Sequence, residues 1–240
     1  MKTLLRKLTA VVSAAAVVTV GGIIGLSALA ESDGVQTTLD VSQGSITITD
    51  TSVSGKDGSG TEVTTVDPDG YVITGTTTEN TITVSGTQNI VLDRVNIDVS
   101  EKNYTCAFKI EDNNTGTVTV TLADDSVNTL KSGYNCAGLQ KNGDGAGIGK
   151  LIIKGGANGT GELTAKGGMY GAGIGGGYSA GVSDITINGG IVTATSVSFG
   201  AGIGSGEGGS VSDITISGGT VTAKGGTQGA GIGCSKGGST

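Results

Sequence analysis

Aromatic residues stand at one recurring place in this chain: Tyr104, Tyr134, Tyr170 and Phe199 each fall two or three residues before an alanine, namely Ala107, Ala137, Ala172 and Ala201. The next equivalent place holds Gln228, and the chain has no Trp. Aromatic faces at regular spacing along an edge form a platform on which sugar rings stack. The same residues can instead close a turn by stacking on one another, worth about 1 kcal/mol per pair. The residue types alone support either role.

A second set of residues suggests a cation. Asp93, Asp98, Glu111, Asp112, Asp124 and Asp125 lie in turns, and carboxylates held side by side repel unless a cation joins them. Ca²⁺, with its several oxygen ligands, is the natural candidate; the plainer alternative is a solvated acidic rim, since no EF-hand pattern is present. Cys106 and Cys136 are 30 residues apart at equivalent places, so they form either a disulfide or a small buried apolar step. Cys234 is then left without a counterpart.

Other chemistry is excluded or narrowed by composition. The chain has no His, which removes the commonest general base and metal ligand. Zinc sites and Ser-His or Cys-His nucleophiles therefore drop out. A polysaccharide lyase would need a base such as Arg94, beside Asp93, and a hydrolase would need two placed carboxylates. Asp124 and Asp125 are adjacent, and neighbours in a strand point apart. The expectation is a non-enzymatic protein. The Gly-rich stretches are not phosphate loops, because no Lys-Ser/Thr follows them.

The elements that must position these residues are written in a repeat. Asp184-Ile185-Thr186-Ile187 returns as Asp213-Ile214-Thr215-Ile216, and Gly171-Ala172-Gly173-Ile174-Gly175 returns at Gly200 and at Gly229, all at a shift of 29. Earlier repeats are looser but place Val118-Thr119-Val120, Val127 to Leu130 and Cys136-Ala137 in the same order. With 47 Gly, two Phe and no Trp, an ordinary globular core is hard to build. Alternating Val, Ile and Thr between glycines instead suits thin β-layers stacked in a column. The expected fold is all-β: a right-handed parallel β-helix with rungs of about 29 residues and three short strands each. Inward residues then form ladders. Outward ladders are expected at Thr119, Thr186 and Thr215 and at Thr164, Thr193 and Thr222, regular enough to raise ice binding as a remote use. The alanine column Ala107, Ala137, Ala172, Ala201 and Ala230 marks a tight third side.

Lys2, Arg6 and Lys7 followed by an apolar run ending at Ala28-Leu29-Ala30 read as a secretory signal peptide over residues 1–30, against a retained membrane anchor. Cleavage would leave 11 of the 14 Lys and Arg against 21 Asp and Glu, a net charge of −10. Such a surface disfavours nucleic acid and anionic lipid. Residues 31–70 are expected to cap the solenoid and residues 71–240 to form its repeats. Gly237-Gly238-Ser239 repeats Gly208-Gly209-Ser210, so a longer protein with further rungs is expected.

Ile46-Thr47-Ile48-Thr49, Gly70-Tyr71-Val72-Ile73-Thr74-Gly75 and Asn128-Thr129-Leu130 together resemble secreted clostridial β-helix proteins of the carbohydrate-binding-domain type. The Gly-Ala-Gly-Ile-Gly and Asp-Ile-Thr-Ile-Ser-Gly-Gly repeats are similar to large surface proteins of gut Firmicutes. The resemblance spans about residues 45–240 and implies a secreted or surface-displayed protein binding polysaccharides such as polygalacturonate or cellulose. It assigns no binding residue by position. The expected function is an extracellular module for a plant or microbial cell-wall polysaccharide, with calcium assistance; the alternative is an adhesive stalk.

Overall fold

The computed structural model describes residues 34–112 and 114–239; the expected signal peptide, residues 1–30, lies outside the described residues. Among the described residues no helix is long and apolar enough to cross a membrane.

The chain winds as a parallel β-solenoid whose rungs each cross three faces. Face one stacks Thr37–Asp40, Tyr71–Thr74, Gln88–Leu92, Val118–Leu122, Leu151–Gly155 and the leading halves of Ile185–Thr195 and Ile214–Lys224. Face two stacks Thr76–Thr77, Asn96–Asp98, Val127–Lys131, Glu162–Lys166 and the trailing halves of the same two long strands. Face three stacks Ile46–Ile48, Ile82–Val84, Phe108–Ile110, Leu139–Lys141, Ile174–Gly175, Ile203–Gly204 and Ile232–Gly233. Pairing from rung to rung is parallel throughout these stacks.

Period-2 alternation decides what fills the column. Tyr71, Ile90, Val120, Ile153 and Ile187 lie in register on face one and are fully buried. On face three Ile46, Ile82, Phe108, Leu139, Ile174 and Ile203 do the same. Face two tapers along its length, through Ile97, Leu130, Ala165, Ala194 and Ala223. The outward column on that face is Thr129, Thr164, Thr193 and Thr222, in direct register. On face one the outward threonines are interrupted, because Ile152 sits between Thr119 and Thr186.

The last two rungs depart from three separate strands. Faces one and two run on as single 11-residue strands, Ile185–Thr195 and Ile214–Lys224. Gly190 and Gly219, at φ 81° and 84°, bend these strands where a side chain would be strained, so the ladder resumes after a local register shift.

The segment expected as a cap has two roles. Thr37–Asp40 and Ile46–Ile48 pair in parallel with Tyr71–Thr74 and Ile82–Val84, making a first rung in which the 3₁₀ turn Val41–Gln43 joins the two. Val53–Lys56 and Glu62–Val63 then fold antiparallel against it. Val53 is buried, so this hairpin covers the first rung and blunts its open edge.

Candidate functional site

The corner between faces two and three gathers most of the aromatic residues. Tyr170 and Phe199 stack with ring centroids 5.1 Å apart and planes at 12°. Tyr134 meets Tyr170 edge-on at 5.0 Å and 80°. Tyr178 closes on Tyr170 at 5.2 Å and 57°, and Lys236 Nζ lies 5.3 Å from the centre of the Phe199 ring, a cation–π distance. Tyr134 and Tyr178 remain 40% and 52% exposed, so the cluster shows aromatic surface to solvent.

Backbone stacking sets this spacing. Tyr170 N donates to Tyr134 O at 3.1 Å, Phe199 N to Met169 O at 2.8 Å, and Gln228 N to Ser198 O at 3.0 Å. Beside each ring the chain comes too close to its neighbour for any side chain. A Cβ on Gly171 would overlap the Cys136 carbonyl, and one on Gly200 the Gly171 carbonyl. The bulky side chains of this corner therefore go outward.

The hydroxyls of Tyr134 and Tyr170 share a hydrogen bond of 3.4 Å. That bond, with partial loss of hydration, pushes the Tyr170 phenol up to about 12, so it stays a neutral donor and acceptor throughout the physiological range.

Tyr104 stands apart: it is 74% exposed and makes no ring contact among the described residues. Tyr178 and Lys236 were not singled out by the aromatic pattern. They follow face three rather than precede it, and the loop carrying them folds back under the corner, with Tyr178 N bonded to Asn135 O and Glu207 N to Tyr170 O. The 29-residue shift would have found them, since Tyr178, Glu207 and Lys236 are equivalent positions.

The six carboxylates do not form one group. Stacking gathers residues that share a place in the rung, and these occupy three different places. Asp93, Asp124 and Asp125 are at the corner between faces one and two, Asp98 ends a face-two strand, and Glu111 and Asp112 follow face three. Each has protein partners. Asp93 holds Arg94 at 2.8 Å. Asp98 accepts from Lys131 at 2.8 Å and Ser100 at 2.6 Å, which hold its carboxyl below the usual range. Asp124 accepts from the Asn158 and Thr160 amides and Asp125 from the Thr160 hydroxyl. Lys109 bridges Glu111 and Asp112, and their combined pull outweighs burial and raises its ammonium. Among the described residues no three His, Cys, Asp or Glu side chains come together as a metal site.

Cys106 and Cys136 are joined as a disulfide across adjacent rungs, with Cα atoms 5.2 Å apart. Cys234 is free and partly exposed. Lys141 was missed altogether. It occupies the inward column Ile48, Val84, Ile110, Lys141, where its neighbours are aliphatic. Burial lowers its ammonium to about 8, against the opposing fields of Asp184 and Asp144. Its Nζ donates to Ser183 O at 2.5 Å and Gly143 O at 3.4 Å. At the other end of the solenoid an open groove of about 510 Å³ lies between Val35–Thr37 and Glu62–Pro68, away from the aromatic rungs.

Residues 158–178, 185–207 and 214–238 each match the family model described as a beta helix repeat. The chain carries β-helix repeats. The matched segments include Tyr170, Tyr178 and Phe199, so the candidate corner is built from the repeats themselves. No curated protein matches the chain, and no solved structure does.

Proposed function

We propose that this chain is an exported, bacterial carbohydrate-binding module that recognises a plant or microbial cell-wall polysaccharide at the corner between faces two and three. The observation that carries this reading is the aromatic cluster of Tyr134, Tyr170, Tyr178 and Phe199, which spans three consecutive rungs and leaves Tyr134 and Tyr178 exposed. The faces of Tyr170 and Phe199 cover each other, so the exposed surfaces of Tyr134 and Tyr178 are what take the apolar sides of sugar rings, while the phenol hydroxyls take sugar hydroxyls. Tyr134, Tyr170 and Phe199, 5.0 and 5.1 Å apart on successive rungs, run along the solenoid axis, which suits an extended polymer laid lengthwise.

Binding without cleavage is favoured by the surroundings of Arg94. This would-be base is occupied by Asp93 and lies at a different corner from the rings. Each carboxylate once considered for calcium already has a protein donor, which favours binding that does not depend on a cation. The stalk reading draws on the regular register of Ile185–Thr195 on Ile214–Lys224, a column that can simply extend.

Affinity electrophoresis of residues 31–240 in gels containing xylan, soluble cellulose derivatives, pectin or polygalacturonate separates these readings, with and without chelator. Retardation by at least one polymer is expected, with no new chain ends released and no effect of chelator. Tyr170→Ala should weaken binding by about tenfold, the loss of one or two aromatic stacking contacts, while Tyr104→Ala should leave it unchanged. Failure of every polymer to retard the chain, or equal effects of the two substitutions, would favour the stalk.

A further inference from the structure

The two walls of the groove at the first rung differ in what their backbone still offers. Along Val35–Thr37 the backbone is closed by side chains. Asp67 accepts from the Thr37 amide at 2.7 Å and from its hydroxyl at 2.6 Å. Asp69 Oδ2 accepts from the Gly34 amide at 2.9 Å, and Gln36 Nε2 donates to Asp69 O at 3.1 Å. The opposite wall is open. Glu62–Val63 ends its sheet and pairs on one side only, with Val53–Lys56. Thr64, Thr65 and Val66 carry that wall on towards Asp67 and make no backbone hydrogen bond among the described residues. Val63, Thr64, Thr65 and Val66 are residue types that suit a strand, and no lysine or glycine interrupts the run before Pro68. Such an edge, with its N–H and C=O groups unpaired, is a template for another strand. The side chains set what that strand carries. Glu62 and Asp67 are the charged residues lining the groove, with no lysine or arginine among them. The Glu62 carboxylate is exposed and meets Lys56 at 3.5 Å. Val63 and Val66 are half-buried, and Val35 is 68% exposed.

We infer that this groove takes an extended peptide segment of a partner protein, paired as a strand along Glu62–Val66 and alternating basic with apolar residues. Main-chain pairing supplies the affinity of such an added strand, and its alternate side chains supply the specificity. Cross-strand neighbours share a face, so the residue opposite Glu62 is basic and the residue opposite Val63 is apolar. A polysaccharide fits this place poorly. It has no regular alternation of N–H and C=O groups, and none of the lining residues is aromatic, so sugar rings have nothing to stack on. A second copy of the chain fits poorly too, since it brings the same edge, acidic at Glu62 and without a lysine on the strand itself. The site is separate from the aromatic corner and stands whether or not that corner binds sugar.

The test is fluorescence anisotropy of a labelled peptide of about seven residues, the length of a short strand, alternating lysine and valine and titrated with residues 31–240. Binding should saturate and be about tenfold tighter than that of the same peptide with glutamate for lysine, through several charge contacts. Only alternate amides of an added strand face its neighbour. Of two forms N-methylated on the lysines or on the valines, one should therefore lose about tenfold, for two or three missing hydrogen bonds, while the other binds like the parent. Glu62→Lys should weaken the lysine peptide about fivefold. Glu101→Lys, which changes the net charge equally but does not line the groove, should leave it as it is. Methylated forms that bind alike overturn strand pairing. Equal effects of the two charge reversals assign the attraction to the overall charge of −7 and overturn the site. Loss of peptide binding in Tyr170→Ala would move the peptide to the aromatic corner and overturn it as well.

Discussion

Along face three the inward column runs Ile46, Ile82, Phe108 and Leu139 in strands of three residues, then continues as Ile174, Ile203 and Ile232 in strands of only two. Across face two the change is larger, from Ile97 and Leu130 to Ala165, Ala194 and Ala223. Rungs in the first half are filled by side chains. In the second half this column of face two is alanine, and the glycine corner stacks backbone on backbone, as where Gly173 N donates to Ala201 O and Gly202 N to Ala230 O, both at 3.0 Å. A tight interior leaves large residues only the outside. The aromatic corner therefore develops where the core becomes thin, and the first half supplies the apolar burial that holds the column.

This contrast is tested most strongly at Phe108. It is fully buried beneath Leu139, and Phe108→Ala should cost about 3–5 kcal/mol, the range for large-to-small changes in a packed core. Ala194→Gly, equally buried in the second half, should cost about 1 kcal/mol, chiefly backbone entropy. Urea unfolding of both variants reads the difference. Similar losses would mean that the two halves hold the column equally.

Lys141 sits at the boundary between the two modes of filling, and its ionisation sharpens the comparison. Its folded ammonium titrates at about 8 against an ordinary 10.5, so below pH 8 both states carry the proton and the folded one bears the cost of burying it. Between 8 and 10.5 the unfolded chain binds more protons, and stability rises with pH. The gain is at most about 3.5 kcal/mol over the whole window, at ~1.4 kcal/mol per pH unit. Between pH 7.5 and 9.5, below most tyrosine titration, the parent's unfolding midpoint should climb. Lys141→Met, completing the aliphatic column of Ile48, Val84 and Ile110, should flatten that slope and raise stability at pH 7. An unchanged slope in the variant would assign the pH dependence to other groups.

The parallel solenoid was legible because its cause is periodic. Ile185, Ile187 and their equivalents 29 residues on fix both the alternation and the stacking. Ladders could be drawn from sequence wherever rungs are identical, as at Thr164, Thr193 and Thr222, but failed on face one where Ile152 breaks the threonine row. The carboxylates do not gather into one group for a related reason: being near in sequence says which rung a residue is in, while its place along the rung says which corner it faces. Asp98 and Asp93 are five residues apart and serve different parts of the molecule. Tyr178 and Lys236 hold equivalent places at the 29-residue shift, but their side chains differ from rung to rung, and only the folding back of the loops after face three brings them to the corner. Lys141 breaks the pattern itself, a charged residue at a position whose stack predicts Ile or Val.

The finest contrast between the halves is at Gly200, next to Phe199. Its missing side chain lets the corner rest directly on the Gly171 carbonyl, and a methyl there must push the two rungs apart. Gly200→Ala should cost roughly 1–3 kcal/mol, the usual penalty for overpacking, and the strain falls where the aromatic stack depends on rung spacing. Tyr170 and Phe199, now 5.1 Å apart, should separate, and tyrosine fluorescence and sugar affinity should change even where unfolding is little affected. Gly145, in the loop after Lys141, has open space around its would-be side chain, so Gly145→Ala should leave both readings as they are. A Gly200→Ala protein with full affinity and an unaltered spectrum would show that close backbone stacking does not set the spacing of the rings.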